Sequence, residues 1–255
     1  MKRAVGKVYL VGAGPGAPDL LTVKAAEILK RAEIVFHDAL VDPEVLSLAP
    51  HAEKIAVGKR CGRFATAQQF ISKRLVNAAR KYRVVVRLKG GDPMLFGRAH
   101  EEIAALKTAG VPFEVVPGVT SALAAAAEAG VSLTQRGVAR SVAFVTPRVG
   151  AGETASEWAR AAAAADTAVI YMGAGQAEAI ASALLAAGAP GDLPVLVVEN
   201  ASLPAMRQVA LTLAELPLIA QQDFTGPALI MVGRVYAEAL AESLQLASRA
   251  VSQSA

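Results

Sequence analysis

The residues best placed to do chemistry are glycines, carboxylates and hydroxyls standing directly after short apolar runs. Gly12-Ala13-Gly14-Pro15-Gly16 follows Val8 to Val11, and Lys89-Gly90-Gly91-Asp92-Pro93 follows Val84 to Leu88. Glycines there remove side chains where a ligand must touch backbone, as a phosphate or nucleoside would. The second segment runs on through Met94, Leu95 and Phe96 to Arg98, adding a carboxylate in a rigid turn, apolar surface and a cation. Pro117-Gly118-Val119-Thr120-Ser121 follows Phe113 to Val116; its hydroxyls can cap the next helix or bond a ligand, and taken alone they favour the cap. Tyr171-Met172-Gly173-Ala174-Gly175 and Glu199-Asn200-Ala201-Ser202 end two further runs, and Asp38 follows Ile34 to Phe36. One ligand drawing on both halves of the chain explains these loops together.

The elements that must hold such loops are legible in the rhythm of the chain. Short Val/Ile-rich runs at Val8–Val11, Ile34–Phe36, Val84–Leu88, Phe113–Val116, Val142–Val145, Ala168–Tyr171, Val195–Val198 and Ala228–Val232 alternate with longer helical patterns. That alternation predicts an α/β protein with largely parallel sheets, which bind ligands at the carboxyl ends of their strands. Leu21, Ala25, Ile28, Leu29 and Ala32 form one apolar stripe of a crossover helix. Pro117-Gly118 is the best place to change domains, giving domains at 1–118 and 119–246, with an aperiodic tail at 247–255 expected to fray.

Composition excludes several classes. The chain has 255 residues and is 54% hydrophobic, yet charges or Gly/Pro breaks interrupt every apolar stretch of about 18 residues, which argues against a membrane span. Met1 to Tyr9 is too short in apolar residues for a signal peptide, so a cytoplasmic protein is expected. One cysteine, Cys61, and three scattered histidines cannot assemble a zinc site, so no metal is expected. A net charge of +4 favours anionic partners, but dispersed Lys/Arg and 5% aromatic content point to a small acidic ligand rather than nucleic acid.

Five ordered segments, VGAGPGAPDLLTVKA (11–25), VRLKGGDPMLFGR (86–98), PFEVVPGVTSALAAAA (112–127), SLTQRGVARSVAFVT (132–146) and DTAVIYMG (166–173), together carry a resemblance. The sequence strongly resembles the uroporphyrinogen-III C-methyltransferases of the S-adenosylmethionine-dependent tetrapyrrole methyltransferase superfamily, over essentially the whole chain to about residue 240. The resemblance implies two α/β domains, with a largely parallel sheet in the first and a mixed sheet in the second, and a homodimer. It implies a cofactor, S-adenosyl-L-methionine, leaving as S-adenosyl-L-homocysteine, contacted by Pro15, Gly90, Gly91, Asp92, Leu95, Thr120, Ser121, Met172, Ala201 and Ala228. It implies Asp38 as proton acceptor, Lys59 as proton donor and Arg98 in the catalytic set, with Arg98, Glu101, Arg136 and Met172 meeting the substrate.

The substrate implied is uroporphyrinogen III, a polycarboxylate that arginine forks suit, with Arg60, Arg63, Arg140 and Arg148 as further candidates. The reaction implied is methylation at C2 and C7 in turn, through precorrin-1 to precorrin-2, for sirohaem, cobalamin or related tetrapyrroles. The chain departs from the family pattern at His37, at Ala99 and His100 where glycines are usual, and at Pro147 and Arg148 where a histidine is usual. Other readings stay open at this stage: a later corrin-ring methyltransferase acting at C11 or C17, a diphthine synthase, a nicotinamide oxidoreductase using the first glycine loop and Asp38, and a nucleoside sensor without turnover.

Overall fold

The computed structural model describes residues 5–57, 64–150, 154 and 156–253. Lys59, Arg60, Cys61 and Arg63 lie outside the described residues. The chain divides into two compact units, Met1–Ser121 and Ala122–Ala255.

In the first unit the chain runs β1 (Lys7–Gly12), α1 (Val23–Arg31), β2 (Ile34–His37), α2 (Pro43–Ser47), β3 (Glu53–Ala56), α3 (Phe64–Ala79), β4 (Val84–Lys89), α4 (Ala99–Thr108) and β5 (Phe113–Val116). The strands form one sheet in the order β3-β2-β4-β1-β5, every pairing parallel. Helix α1 forms where the apolar stripe predicts, burying Ala25, Ile28 and Leu29, with the Thr22 hydroxyl accepting from the Ala25 amide at 3.2 Å. An N-cap of this kind stabilises a helix by about 1 kcal/mol.

Two cores cover the two faces of the sheet. Ala25, Ile28 and Leu29 of α1 and Val45 of α2 pack with Val11, Val35, Val86 and Leu88 on one face. Ile71 and Leu75 of α3 and Leu106 of α4 pack with Val8, Leu10, Ile34, Phe36 and Val85 on the other. Neighbouring strands β1 and β4 therefore send their chains to opposite faces. A doubly wound sheet opens a crevice at such a switch point, just beyond the strand ends.

The second unit comprises α5 (Ser121–Glu128), which straddles the division, then β6 (Val142–Val145), α6 (Trp158–Ala164), β7 (Thr167–Ile170), α7 (Ala177–Ala186), β8 (Pro194–Glu199), β9 (Arg207–Thr212), β10 (Ala228–Gly233) and α8 (Ala237–Gln253). Its sheet has the order β6-β7-β10-β8-β9, with β6 and β7 parallel and the remaining pairings antiparallel, so it is mixed as expected. Helices α6 and α7 and a 3₁₀ stretch at Leu213–Gln221 cover one face. The stretch from 247, read as an aperiodic tail, continues α8 as far as Gln253.

Strands β3 and β9 are absent from the sequence reading. Both are edge strands, and their outward residues include Glu53, Lys54, Arg207 and Gln208, which dilutes the apolar signal by which a strand is recognised.

One surface pairing ties the first unit together and has a pH consequence. Glu114 on β5 accepts from Lys7 of β1 at 2.6 Å and from Lys24 of α1, and the hydrogen bonds from Lys24 and Lys7 draw its carboxyl from 4.5 down to about 2. A depressed carboxyl pKa stabilises the fold above the unfolded value and loses that contribution as pH falls through the folded one. Glu114→Gln will therefore cost at most about 1 kcal/mol at neutral pH, since the pairing is solvent-exposed. The gap to the parent chain will close as pH falls from 4.5 to about 2. Urea unfolding across that window checks it; a gap independent of pH would contradict it.

Candidate active site

The loops nominated in the first unit converge at the switch point. Gly14 and Gly91 exchange backbone hydrogen bonds, Gly91 N–H donating to Gly14 O at 2.7 Å and Gly14 N–H to Gly91 O at 3.2 Å, while Ala13 N–H donates to Lys89 O at 2.7 Å. The two glycine loops are thus zipped together beyond the ends of β1 and β4. Gly91 has φ +66°, a conformation glycine adopts without penalty. Gly118, after β5, lies against both: a Cβ there would stand 2.3 Å from Gly91 O and 2.8 Å from Gly12 Cα. Thr120 closes the group, its Cα 3.9 Å from where a Cβ on Gly91 would sit.

Asp92 holds this arrangement. Its Oδ2 accepts from Gly118 N–H at 2.9 Å and its Oδ1 from Met94 N–H at 2.8 Å, so each oxygen already carries one backbone bond, with lone pairs left for an added ammonium. Leu95 is anchored through its N–H to Asp92 O at 3.3 Å. Pro15 adjoins the zipped Gly14, and Gly90 is exposed, with only the Leu40 Cβ near its own missing one, at 3.6 Å. The Asp38–Val41 turn after β2 therefore borders the same loops.

Asp38 is gripped by a group that the sequence reading passed over. Arg87 Nη2 donates to Asp38 Oδ1 at 2.5 Å, Arg87 Nε to Glu102 Oε1 at 2.9 Å, and Arg87 Nη1 to Leu88 O at 3.1 Å. Glu102 also receives Lys89 Nζ at 3.1 and 3.2 Å and Gln68 Nε2 at 3.1 Å. Arg87, Lys89 and Glu102 are buried. Burial opposes the Arg87 charge, but Asp38 and Glu102 outweigh it and hold the guanidinium above its ordinary value; burial and the Arg87 charge together pull Lys89 below its own. A signal was available: a parallel strand covered on both faces should be apolar throughout, and Arg87 and Lys89 break that run.

Arg98 and Glu101, both nominated for substrate, meet each other. Arg98 Nε and Nη2 reach the two Glu101 oxygens at 2.7 and 2.9 Å in a bidentate pair at the start of α4, where Arg98 sits at φ 55°.

Within the second unit, Met172, Ala201 and Ala228 gather at one end of the sheet. Ala228 pairs with Glu199 across β10 and β8, and Asn200 N–H donates to Pro227 O at 2.9 Å. Met172 follows β7 in the left-handed region, φ 58°, and is exposed. Buried Glu199 accepts from the Thr225 and Gly226 amides, both at 2.6 Å, and from Arg207 at 2.8 Å. Burial works against the Glu199 charge, and these donors outweigh it, holding the carboxyl below its usual range. Arg136 stands on a different element, exposed at the tip of a turn closed by the Gln135–Ala139 bridge. Ser121 opens α5. Among the described residues no three His, Cys, Asp or Glu side chains form a metal cluster, and no helix is long and apolar enough to cross a membrane.

A family model described as tetrapyrrole (corrin/porphyrin) methylases matches residues 7–217. The uroporphyrin-III C-methyltransferase of Thermus thermophilus, crystallised with S-adenosyl homocysteine, is 46% identical with a TM-score of 0.80, covering 90% of this chain and 98% of that one. A cobalt precorrin-4 methyltransferase superposes with the same TM-score, 0.80, at 29% identity, covering 90% of this chain and 95% of that one. The sirohaem synthase of Nitrosococcus oceani is 44% identical over 234 residues, 91% of this chain and 50% of its own length. The chain spans about half the length of the curated relatives it matches.

Proposed function

Because the chain belongs to the tetrapyrrole (corrin/porphyrin) methylases, we propose that it transfers methyl groups from two S-adenosylmethionine molecules in turn to C2 and C7 of uroporphyrinogen III. The product would be precorrin-2, formed through precorrin-1 in the cytoplasm for sirohaem, cobalamin or related tetrapyrroles. The observation that carries this reading is the 46% identity to the Thermus thermophilus enzyme across 98% of that chain. The sirohaem synthases support the sirohaem branch.

S-adenosylmethionine brings a sulfonium methyl as the electrophile. The loops suit such a cofactor: Gly90 and Gly91 leave backbone open, and Asp92 keeps lone pairs for an ammonium. In this reading Pro15, Gly90, Gly91, Asp92, Leu95, Thr120, Ser121, Met172, Ala201 and Ala228 hold the cofactor. The chain's remaining work is to place the carbon nucleophile and accept its proton. Asp38 takes that proton, with Lys59 returning one. Arg98 and Arg136 orient the substrate carboxylates, with Glu101 and Met172 beside the ring. The Arg98–Glu101 pair means that the arginine must be shared with, or released by, Glu101 when a carboxylate arrives. The active form is a homodimer.

Incubating the chain with methyl-labelled cofactor and the reduced porphyrinogen will yield a dimethylated product. Asp38→Asn will lower turnover by at least about 100-fold with S-adenosylhomocysteine affinity retained. A natively folded chain giving no methylated product sinks the reading. The precorrin-4 methyltransferase, equal in TM-score, supports one second reading, methylation of a later corrin ring. Turnover of that acceptor in preference to uroporphyrinogen would establish it. Stabilisation by NAD instead of S-adenosylhomocysteine would point to an oxidoreductase.

A further inference from the structure

The buried charges under β4 are not explained by stability. Replacing a buried ion-pair cluster with apolar residues of similar volume is commonly neutral or stabilising. A cluster of Arg87, Lys89, Glu102 and Gln68 therefore calls for another account.

Its geometry supplies one. The Arg87 guanidinium is held along three directions: Nε by Glu102 at 2.9 Å, Nη1 by the Leu88 carbonyl at 3.1 Å and the Phe36 carbonyl at 3.5 Å, and Nη2 by Asp38 at 2.5 Å. A planar fork with an acceptor on each side cannot rotate without losing a bond. Glu102 is fixed in turn by Lys89 and Gln68. The side chains of Arg87, Lys89 and Glu102 are at most 3% exposed, whereas that of Asp38 is 33% exposed. The rigid part of the chain of bonds is thus inside, and its outer end is the one carboxylate that meets solvent. Asp38 Oδ1 is occupied by Arg87, and among the described residues no hydrogen bond reaches Oδ2.

We propose that Arg87 is a positioning residue for Asp38: braced from below by Glu102, its guanidinium holds Oδ1 and so presents Oδ2 to the substrate. The proposal rests on the reading of Asp38 as proton acceptor given above. Orientation of this kind matters because a displacement of about 1 Å at a reacting group can cost about 100-fold in rate. A lysine cannot replace the fork, since a point charge reaches Asp38 or Glu102 but does not fix a plane between them.

The test is a double-mutant cycle on the full chain. Arg87→Lys should lower kcat by about 100-fold, leaving KM for the porphyrinogen and S-adenosylhomocysteine affinity within about 3-fold of the parent. On the residual turnover of Asp38→Asn, Arg87→Lys should have no further effect. Lys89→Met, which loosens Glu102 but leaves the Arg87–Asp38 bond in place, should lower kcat by less than Arg87→Lys does. Should Arg87→Lys fail to fold, Arg87→Gln combined with Glu102→Gln removes one buried charge of each sign and is measured in the same way. Parent-like kcat in the Arg87 variant, or an equal loss with and without Asp38, would overturn the proposal. Parent-like turnover in Asp38→Asn itself would overturn the reading of Asp38, and this inference with it.

Discussion

Glu102→Leu will lower the free energy of unfolding by about 3–5 kcal/mol, the cost of removing one partner from a buried ion pair. Glu102 is fully buried and is the carboxylate that Arg87 and Lys89 share, with Gln68 donating to it as well. Leucine in its place leaves a guanidinium, an ammonium and an amide facing hydrocarbon. Lys89 can discharge, since burial already pulls its pKa down, but arginine cannot. Arg87 would be left with Asp38 and two carbonyls. The urea midpoint should fall without a change in slope. Adding Arg87→Met and Lys89→Met to the same chain should recover most of the loss, because charge imbalance and not lost volume is what the single variant creates. A single variant within about 1 kcal/mol of the parent would mean that water reaches the cluster.

That cluster also shows where sequence stops informing. Arg87 and Lys89 are conspicuous in an otherwise apolar strand, and Glu101-Glu102 follows soon after, so the residue types were visible. Which of the two glutamates turns inward was not. The answer depends on α4 lying on the α3 face of the sheet, where β4 alternation also directs Val85. The glycine loops were likewise legible as ligand loops, because each follows an apolar run. Their mutual zipping at Gly14 and Gly91 was not, because it requires β1 and β4 to be neighbours, and strand order is a property of distant pairings. Asp92 was recognised by type and turn, while its bond to Gly118, 26 residues away, belongs to that same long-range order.

Backbone strain gives an independent view of the same loops. Among the described residues, the non-glycine positions in the left-handed region are Phe96, Arg98, Met172, Asn200 and Ser202. All fall in segments nominated from sequence for their glycines, carboxylates and position after strands. Such conformations cost on the order of 1–3 kcal/mol each and persist where surrounding structure enforces them, which happens most at ligand sites. Asn200 shows the enforcement directly: a Cβ on Gly226 would stand 2.0 Å from its Oδ1, so the side chain fills the space a larger residue would need.

Gly118→Ala will abolish measurable binding of S-adenosylhomocysteine and destabilise the first unit, and a paired variant separates the two effects. The new methyl would stand 2.3 Å from Gly91 O, 2.8 Å from Gly12 Cα and 3.1 Å from Gly12 C. All three are backbone atoms, so no side-chain rotation relieves them, and ordinary contact demands that the loops part by about 1 Å. Parting them strains the Asp92–Gly118 bond and the Gly14–Gly91 exchange together, and overpacking of this kind costs about 1–3 kcal/mol. Gly90 provides the contrast. A Cβ there meets only the Leu40 Cβ at 3.6 Å, an ordinary contact, so the chain itself tolerates alanine. Gly90→Ala should keep the parent midpoint within about 0.5 kcal/mol and still weaken cofactor binding, because the methyl occupies space the ligand needs against bare backbone. Calorimetric titration with S-adenosylhomocysteine beside urea unfolding reads both. Parent-like affinity in Gly90→Ala would mean that the cofactor does not lie against that backbone, and parent-like affinity in Gly118→Ala that the zipped loops do not form its cradle.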